Sequence, residues 1–377
     1  MAKKDFNIVV IGGGSAGLVS SYITSAVKAK VALIEKHKMG GDCLNTGCVP
    51  SKALIRTSKV LSYIKRHKDF GLNSASVEFD FAEVMKRVQN IVKKIEPHDS
   101  VDRYTKLGVD CITGKAKILS ANEVQVNDKV YTTKNIIVAT GAKPLVPSIP
   151  GLEKVSYLTT DTIWDIREKP EKLLIVGGGP IGSELTQVFN RLGCKVTQVE
   201  QYDSILSKED KDVSEFICRR FVKEGIDIKL NSILKEFKIE DGKQVAILEN
   251  KGKFEKIEFD QVLLALGRKA NSKGIGLSEI GIKLNSNGTV KVDDYLRTPE
   301  YSNIYACGDI AGPYQFTHTA AHQAWYCTVN ALLSPIKKFK VDYRVIPWCT
   351  FTDPEVARVG INELEAKAQG ISYEGCR

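Results

Sequence analysis

The stretch Phe6–Gly17, FNIVVIGGGSAG, decides the fold of this chain. Its first six residues are mostly apolar, as in a buried strand, and the three glycines that follow predict a tight turn. A helical stretch then runs to about Lys28, and a second apolar run, Val31–Ile34, ends in Glu35. The order strand, glycine turn, helix, strand predicts a β-α-β unit.

The same arrangement returns about 165 residues later in the chain. Leu173–Val176 leads into GGGPIG at 177–182, a helix through about Leu192, and the strand Lys195–Val199 before Glu200. In both copies the glutamate lies 18 residues after the last glycine of G-x-G-x-x-G. The first glycine permits the tight turn, the second lets a pyrophosphate approach the backbone, and the third lets helix and strand pack closely.

Two such motifs, each between a strand and a helix, predict two dinucleotide-binding folds in one α/β protein. Glu35 and Glu200 are suited to accept hydrogen bonds from an adenosine ribose. The alternative, packing glycines followed by surface glutamates, does not explain why both motifs carry the same spacing. One bound nucleotide held tightly and a second that exchanges would suit electron transfer.

The rest of the chain indicates how these two units are connected. The segment Lys143–Gly151, KPLVPSIPG, is rich in proline and predicts a crossover between domains. A helix is predicted from about Thr319 to Leu333. Three further strands, each ending at a glycine, are predicted within Tyr131–Gly141, Phe259–Arg268 and Tyr301–Asp309. We therefore expect the second nucleotide unit to be inserted into the first.

The composition excludes several other classes of protein. The 377 residues are 43% hydrophobic and 26% charged, with a formal net charge of +9, as in ordinary globular proteins. The basic residues form no stripe interleaved with aromatic residues, so we expect no nucleic-acid partner. No signal peptide precedes the first strand, and no run approaches the about 18 apolar residues of a membrane span. We expect a cytoplasmic protein without a membrane segment.

Of the nine cysteines, only Cys43 and Cys48 are close enough in sequence to suggest paired chemistry. The odd number, spread along the chain, is not a disulfide framework, and the other seven are expected to be structural. If the pair opens a distorted helix, the helix N-terminus lowers thiol pKa values and favours thiol exchange. A zinc site would need more ligands than nearby His37, so no metal is predicted. Two inert buried cysteines are the remaining alternative.

At these residues the sequence resembles the flavin-dependent pyridine nucleotide-disulfide oxidoreductases, the family of dihydrolipoamide dehydrogenase, glutathione reductase and mercuric reductase. The resemblance covers essentially the whole chain. It is carried by GGDCLNTGCVPSK at 40–52, VVIGGGSAG at 9–17, VATG at 138–141, YACGD at 305–309 and IVGGGPIGSE at 175–184.

The resemblance implies an FAD-binding domain over 1–148 and 270–340 and an inserted NAD(H)-binding domain over 149–269. It also implies that 345–377 begins an α+β dimerisation domain that is incomplete here. In the family that domain adds roughly 100 residues, an ordinary domain size, and carries a histidine-glutamate pair donated across the dimer. None of the five histidines matches that motif, and His98, His318 and His322 are not assigned to replace it. A homodimer is expected for the full-length protein.

The resemblance also implies roles for individual residues. Cys48 would be the charge-transfer thiol against the flavin and Cys43 the thiol that meets the substrate. Lys52 would lie near the flavin and pair with Glu184, and Asp309 would bind the ribityl chain. The implied FAD contacts are Gly12, Gly14, Ser15, Ala16, Gly17, Glu35, Lys36, Gly41, Asp42, Cys43, Cys48, Lys52, Ala116, Ala139, Thr140, Gly141, Gly308, Asp309, Phe316 and Thr317. The implied NAD contacts are Gly177, Gly179, Pro180, Ile181, Gly182, Glu184, Glu200 and Gly267.

NADH is preferred over NADPH on physical grounds. Glu200 would repel a 2′-phosphate, and residues 197–207 contain no arginine or lysine to receive one. The favoured function is electron transfer between NAD(H), tightly bound FAD, Cys43–Cys48 and a dithiol or disulfide, as in dihydrolipoamide dehydrogenase. A mercuric reductase-like enzyme is the first alternative. A flavin-binding electron-transfer or redox-sensing protein without disulfide turnover is the alternative from another class.

Overall fold

The computed structural model describes residues 4–375, and Cys376 lies outside them. The helices are α1 (Ser15–Ala26), α2 (Gly41–Asn45), α3 (Cys48–Lys65), α4 (Phe81–Ile95), α5 (Val101–Lys106), α6 (Pro180–Arg191), α7 (Lys211–Lys223), α8 (Thr317–Leu333) and α9 (Glu363–Ala368). The strands are β1 (Phe6–Ile11), β2 (Val31–Glu35), β3 (Asp110–Thr113), β4 (Ala116–Ser120), β5 (Glu123–Val126), β6 (Lys129–Val138), β7 (Ala142–Pro144), β8 (Tyr157–Leu158), β9 (Lys172–Val176), β10 (Lys195–Val199), β11 (Asp227–Lys229), β12 (Ile233–Glu240), β13 (Lys243–Asn250), β14 (Lys253–Phe259), β15 (Gln261–Leu264), β16 (Arg268–Ala270), β17 (Ile304–Ala306), β18 (Pro347–Thr350) and β19 (Val356–Val359).

The chain forms two compact units, and each is assembled from three separate segments. The first unit comprises Met1–Val49, Val92–Lys143 and Arg268–Tyr343. The second unit comprises Pro50–Ile91, Pro144–Gly267 and Arg344–Arg377. The domain boundaries implied by the family stay a prediction.

The first unit is built on a seven-stranded sheet. Its strand order is β3-β2-β1-β6-β5-β4, and β17 also pairs with β6. The strands β3, β2, β1, β6 and β17 are parallel, whereas β4, β5 and β6 form an antiparallel meander. Because the carboxyl ends of parallel strands meet at one edge, the loops after β1, β2, β6 and β17 share that edge.

The sheet of the first unit is buried on both faces, which explains why β1 is almost uninterruptedly apolar. Ile8 and Val10 join one hydrophobic cluster, with residues of α1 and α8. Val9 and Ile11 point to the other face and join a second cluster, with residues of β4 and β5.

The second unit contains a five-stranded parallel sheet of order β11-β10-β9-β15-β8 and a three-stranded antiparallel sheet of order β12-β13-β14. In β9, Leu173 and Ile175 pack with residues of α3, α4 and α6. Leu174 and Val176 pack on the opposite face with residues of β12 and β13. The predicted α/β class with two Rossmann-like nucleotide folds is confirmed.

The segment that follows Tyr343 belongs to the second unit. It contains the antiparallel hairpin of β18 and β19 and the short helix α9. Over residues 4–375, no helix combines the length and apolar character that crossing a membrane requires.

Candidate active site

The glycine turn of the first unit follows β1 and leads into α1. Gly12 has a φ of +111°, and a Cβ there would overlap the carbonyl oxygen of Ala139, the residue that follows β6. A Cβ on Gly17 would overlap the carbonyl oxygen of Gly12, so this glycine lets α1 pack against the turn. Both glycines are therefore required by the protein itself.

Gly14, the second glycine of the motif, has a different reason to be glycine. A Cβ there would make only an ordinary contact, 3.7 Å from Gly41 Cα. The protein thus leaves room directly above the N-terminus of α1, where backbone N–H groups and the helix dipole favour an anion. These features fit the pyrophosphate of a dinucleotide.

Glu35, at the end of β2, is fixed beside this turn. Its Oε2 accepts a hydrogen bond from the Gly13 N–H at 2.6 Å, and its Oε1 accepts one from the His37 N–H at 2.8 Å. Each carboxylate oxygen retains further lone-pair capacity for a hydroxyl donor.

The second unit repeats this geometry residue by residue. Gly177 has a φ of +120°, and Cβ atoms on Gly177 and Gly182 would overlap the carbonyl oxygens of Ala265 and Gly177. A Cβ on Gly179 would meet nothing within 4 Å. The turn leads into α6, which begins at Pro180. The arrangement fits a second dinucleotide.

Glu200 occupies in the second unit the place that Glu35 has in the first. Its Oε2 accepts from the Gly178 N–H at 2.5 Å, and its Oε1 accepts from the Tyr202 N–H at 2.9 Å. It is buried, with 9% of its surface exposed. A negative charge is therefore held in place beside the turn.

The predicted cysteine pair lies in the first unit, where two helices follow one another. Cys43 is in the five-residue helix α2, and Cys48 is the first residue of α3. A Cβ on Gly47 between them would lie 2.9 Å from the Asp42 carbonyl oxygen, so the chain turns tightly there. This is the distorted helix start that the spacing predicts.

The two cysteines are thiols that form a hydrogen bond with each other. This hydrogen bond, burial and the negative charge that Cys48 can carry raise the pKa of Cys43, while Thr317 acts in the opposite direction. The expected lowering of thiol pKa values therefore does not hold for Cys43, because the hydrogen bond with Cys48 and burial both favour its protonated form. Cys48 Sγ lies 3.1 Å from Thr317 Oγ1, the first residue of α8.

Sequence reasoning missed Arg268, which connects two of the predicted FAD residues. Its guanidinium forms ion pairs with Asp42 and with Asp309, the latter at 3.3 Å. Burial raises the pKa of Asp309, whereas the charge of Arg268 acts in the opposite direction. The available signal was a lone arginine directly after a predicted strand and glycine.

Gln323 was missed as well. This fully buried side chain lies on α8, where its Oε1 accepts from the Gly308 N–H at 2.6 Å and its Nε2 donates to the Gly312 carbonyl at 2.6 Å. It fixes the loop that carries Asp309. An amide at a helical position gives no pattern by which the sequence alone would reveal this role.

Lys52 and Glu184 form an ion pair in the second unit. Lys52 Nζ lies 2.9 Å from Glu184 Oε2. The carboxylate is buried, with 8% of the side chain exposed, whereas Lys52 is 37% exposed. Lys52 follows Cys48 by four residues on α3, so both fall on one side of that helix.

The remaining predicted contacts lie at element boundaries. Thr140 follows β6, and its hydroxyl donates to the Asn271 carbonyl at 3.0 Å. Ala116 begins β4 and is buried in the core. The others lie in the first turns of helices or beside strand ends: Ser15, Ala16, Lys36, Ala139, Gly141, Gly308, Phe316, Ile181 and Gly267. Their roles stay predictions.

The structure pairs two cysteines that the sequence treats as isolated. Cys307, directly after β17, and Cys327, on α8, are fully buried and hydrogen-bonded to each other. Burial and the hydrogen bond with Cys307 raise the pKa of Cys327, which disfavours the reactive thiolate of Cys327. Among residues 4–375, no group of three or more histidine, cysteine or acidic side chains could hold a metal ion.

Comparison with known proteins agrees with this geometry. The model of the family described as pyridine nucleotide-disulphide oxidoreductase matches residues 6–324. The chain therefore belongs to that family, and the resemblance stated from the motifs is confirmed. The family uses FAD and a pyridine nucleotide, which the two glycine turns fit.

Individual relatives include both mercuric reductases and dihydrolipoyl dehydrogenases, so they do not distinguish between these two activities. A mercuric reductase of Bacillus cereus is 34% identical over 370 residues, covering 98% of this chain and 58% of that protein. A dihydrolipoyl dehydrogenase of Acholeplasma laidlawii is 37% identical over 326 residues, covering 85% of this chain and 94% of that protein. The chain thus spans little more than half the length of the first of these relatives.

Among solved structures, the HOCl-induced flavoprotein disulfide reductase RclA from Escherichia coli is similar to this chain. The TM-score is 0.83 at 27% sequence identity, over 97% of this chain and 80% of RclA. The likeness extends over both units of the fold.

Proposed function

We propose that this chain is a flavin-dependent disulfide oxidoreductase that passes electrons between NAD(H), FAD, the Cys43–Cys48 pair and a dithiol or disulfide substrate. The observation that carries the proposal is the hydrogen-bonded thiol pair, which lies in the same unit as a glycine turn that fits a dinucleotide. Dihydrolipoamide is the favoured substrate, and a homodimer is the proposed assembly. A cytoplasmic location stays a prediction.

The first unit would hold FAD through its glycine turn, Glu35 and Asp309, and the second would hold NAD(H) through its own turn and Glu200. The bound flavin would supply the exchange of an electron pair between a nicotinamide and the cysteine pair. Lys52, held by Glu184, would contribute a positive charge that stabilises a reduced flavin or a thiolate.

The thiols themselves would carry the exchange with the substrate. With a disulfide substrate, the Cys43 thiolate attacks one sulfur, forms a mixed disulfide and releases the first substrate thiolate, which takes up a proton. Cys48 then attacks the Cys43 sulfur, releases the second substrate thiolate and leaves a Cys43–Cys48 disulfide. The substrate gains two electrons and two protons, and the reverse sequence oxidises a dithiol.

The raised pKa of Cys43 bears on this sequence. Because Cys43 retains its proton, attack on a substrate requires a base that removes it. Thr317 Oγ1, 3.1 Å from Cys48 Sγ, can donate a hydrogen bond to a Cys48 thiolate while Cys43 is joined to the substrate.

NADH is the proposed nicotinamide. The buried carboxylate of Glu200 would accept hydrogen bonds from a ribose diol and would repel a 2′-phosphate. Steady-state kinetics with each nucleotide test this point, and a preference for NADPH by the unmodified chain would refute it.

The substrate is tested by parallel assays of NAD⁺ with dihydrolipoamide and of NADH with Hg²⁺. Turnover of dihydrolipoamide supports the favoured substrate, whereas Hg²⁺-dependent NADH oxidation alone supports the mercuric reductase-like alternative suggested by the relatives. Cys43→Ser should abolish either activity and leave the flavin bound and reducible by NADH. If wild type and Cys43→Ser both reduce flavin but neither turns over a substrate, the electron-transfer alternative is supported instead.

A further inference from the structure

Phe351 contacts both members of the Lys52–Glu184 ion pair. Its backbone N–H donates to Glu184 Oε1 at 2.9 Å, while the other carboxylate oxygen of Glu184 accepts from Lys52. Lys52 Nζ also lies 4.2 Å from the centroid of the Phe351 ring. The three residues therefore form a closed set of contacts in the second unit.

We propose that Phe351 is a positioning residue that holds the Lys52 ammonium in one place, an inference that rests on the function proposed above. A lysine has a long flexible stem, and a partly exposed ion pair by itself restrains it only weakly. The aromatic face attracts the ammonium through its quadrupole, which adds a second restraint. The backbone N–H of Phe351 also holds the Glu184 carboxylate, whose ion pair with Lys52 is the first restraint.

Phe351 is itself fixed on a rigid part of the unit. It directly follows β18, and two residues later the Asp353 N–H donates to Gln187 Oε1 at 2.7 Å. The Asp353 carboxylate pairs with Arg191 at 2.8 Å. Gln187 and Arg191 both lie on α6, the helix that carries Glu184. The segment after β18 is thus tied to the helix whose carboxylate it orients.

The experiment compares Phe351→Leu, which removes the aromatic face, with Phe351→Tyr, which keeps it. Phe70→Leu is the matched control, because Phe70 contacts Arg66 in the same unit and has no part in the ion pair. Acetylation of Lys52 by limiting acetic anhydride is measured on the folded proteins by peptide mass spectrometry. We expect acetylation about three- to tenfold faster in Phe351→Leu and close to the wild-type rate in Phe351→Tyr and Phe70→Leu.

Kinetics provide the second measurement. With NADH and the accepted substrate, kcat should fall several-fold in Phe351→Leu, the KM for NADH should stay within about twofold, and Phe351→Tyr should restore kcat. A rise in KM without a change in kcat would overturn the positioning role.

The two proposals fail in distinguishable ways. Unchanged Lys52 acetylation in folded Phe351→Leu overturns the role of Phe351, whatever the activity. If the wild-type chain turns over neither dihydrolipoamide nor Hg²⁺, the proposed function fails, and the acetylation rates still decide whether Phe351 holds Lys52. If Phe351→Leu does not fold, Phe351→Met is compared with Phe351→Tyr by the same two criteria.

Discussion

The two glycine turns of this chain have nearly the same backbone and different surroundings. In both, a Cβ on the first motif glycine would overlap the carbonyl oxygen of an alanine outside the turn, and a Cβ on the third would overlap the carbonyl oxygen of the first. In both, a glutamate carboxylate also accepts a hydrogen bond from the N–H of the residue after the first motif glycine, Gly13 or Gly178. In the first unit, however, Gly40 and Gly41 pack directly against the turn, and the Gly40 N–H donates to the Gly13 carbonyl at 2.9 Å. Nothing comparable lies within 4 Å of a Cβ on Gly179.

This difference indicates where a tightly held and an exchanging nucleotide would differ. The motif forms the same turn twice, whereas the segment packed against the first turn continues into the cysteine pair. Retention of one cofactor would thus come from what surrounds the turn and not from the turn itself. The following predictions test whether the two turns share one geometry and whether their surroundings make them differ.

The largest effect is expected for Gly17→Ala and Gly182→Ala. Each adds only a Cβ, which would overlap the carbonyl oxygen of the first glycine in its turn. Each should lower the free energy of unfolding by about 1–3 kcal/mol, because the clash costs more than the higher helix propensity of alanine gains. Denaturant unfolding measures this change in free energy. An unchanged unfolding midpoint in either variant would show that its turn tolerates the added atom.

Gly14→Ala and Gly179→Ala make the same chemical change without a clash and serve as matched variants. Their backbone φ values of −82° and −72° suit alanine, so stability should change by no more than about 0.5 kcal/mol. Cofactor binding should weaken by about tenfold or more, since the Cβ fills the space left for a pyrophosphate. FAD retention and the KM for NADH are measured. Unaltered binding in both would contradict the assigned role of this glycine.

Glu200→Ala should raise the KM for NADH about tenfold, because the hydrogen-bond acceptor for the ribose is lost. It should also reduce the preference for NADH over NADPH, because the negative charge that repels a 2′-phosphate is lost. Glu35→Ala is the comparison variant, expected to weaken FAD retention and leave the nicotinamide preference as it was. Steady-state kinetics with both nucleotides check this. Equal effects of the two substitutions on nucleotide preference would argue against separate sites.

The smallest effect concerns the thiol pair next to the first turn. Cys48→Ala removes the hydrogen bond that contributes most to the raised pKa of Cys43. The pKa should then fall, so more Cys43 is thiolate at pH 8 and alkylation by iodoacetamide should be about threefold faster or more. Peptide mass spectrometry follows the labelling, with Cys111 as internal reference. Slower labelling of Cys43 in this variant would contradict the conclusion that the hydrogen bond with Cys48 raises the pKa of Cys43.

Much of the fold followed from local pattern. The strand β10 begins and ends at the predicted residues, β2 extends one residue further to Glu35, and helices α1 and α6 end within two residues of the predicted positions. Such elements are predictable because burial of a parallel strand on both faces and the stereochemistry of a glycine turn act over a few residues. The strand predicted within Phe259–Arg268 proved shorter, since only Gln261–Leu264 pairs in the parallel sheet, whereas Phe259 ends β14 and Arg268 begins β16.

The sequence by itself determined two dinucleotide folds, the acidic residue of each and a cysteine pair at a helix start, because these depend on residue type and short spacing. Only the tertiary structure decided that Arg268 joins Asp42 to Asp309 and that Phe351 contacts Lys52 and Glu184. Those partners are separated by up to 299 residues in the chain. Their contacts depend on how distant elements pack, for which no short pattern exists.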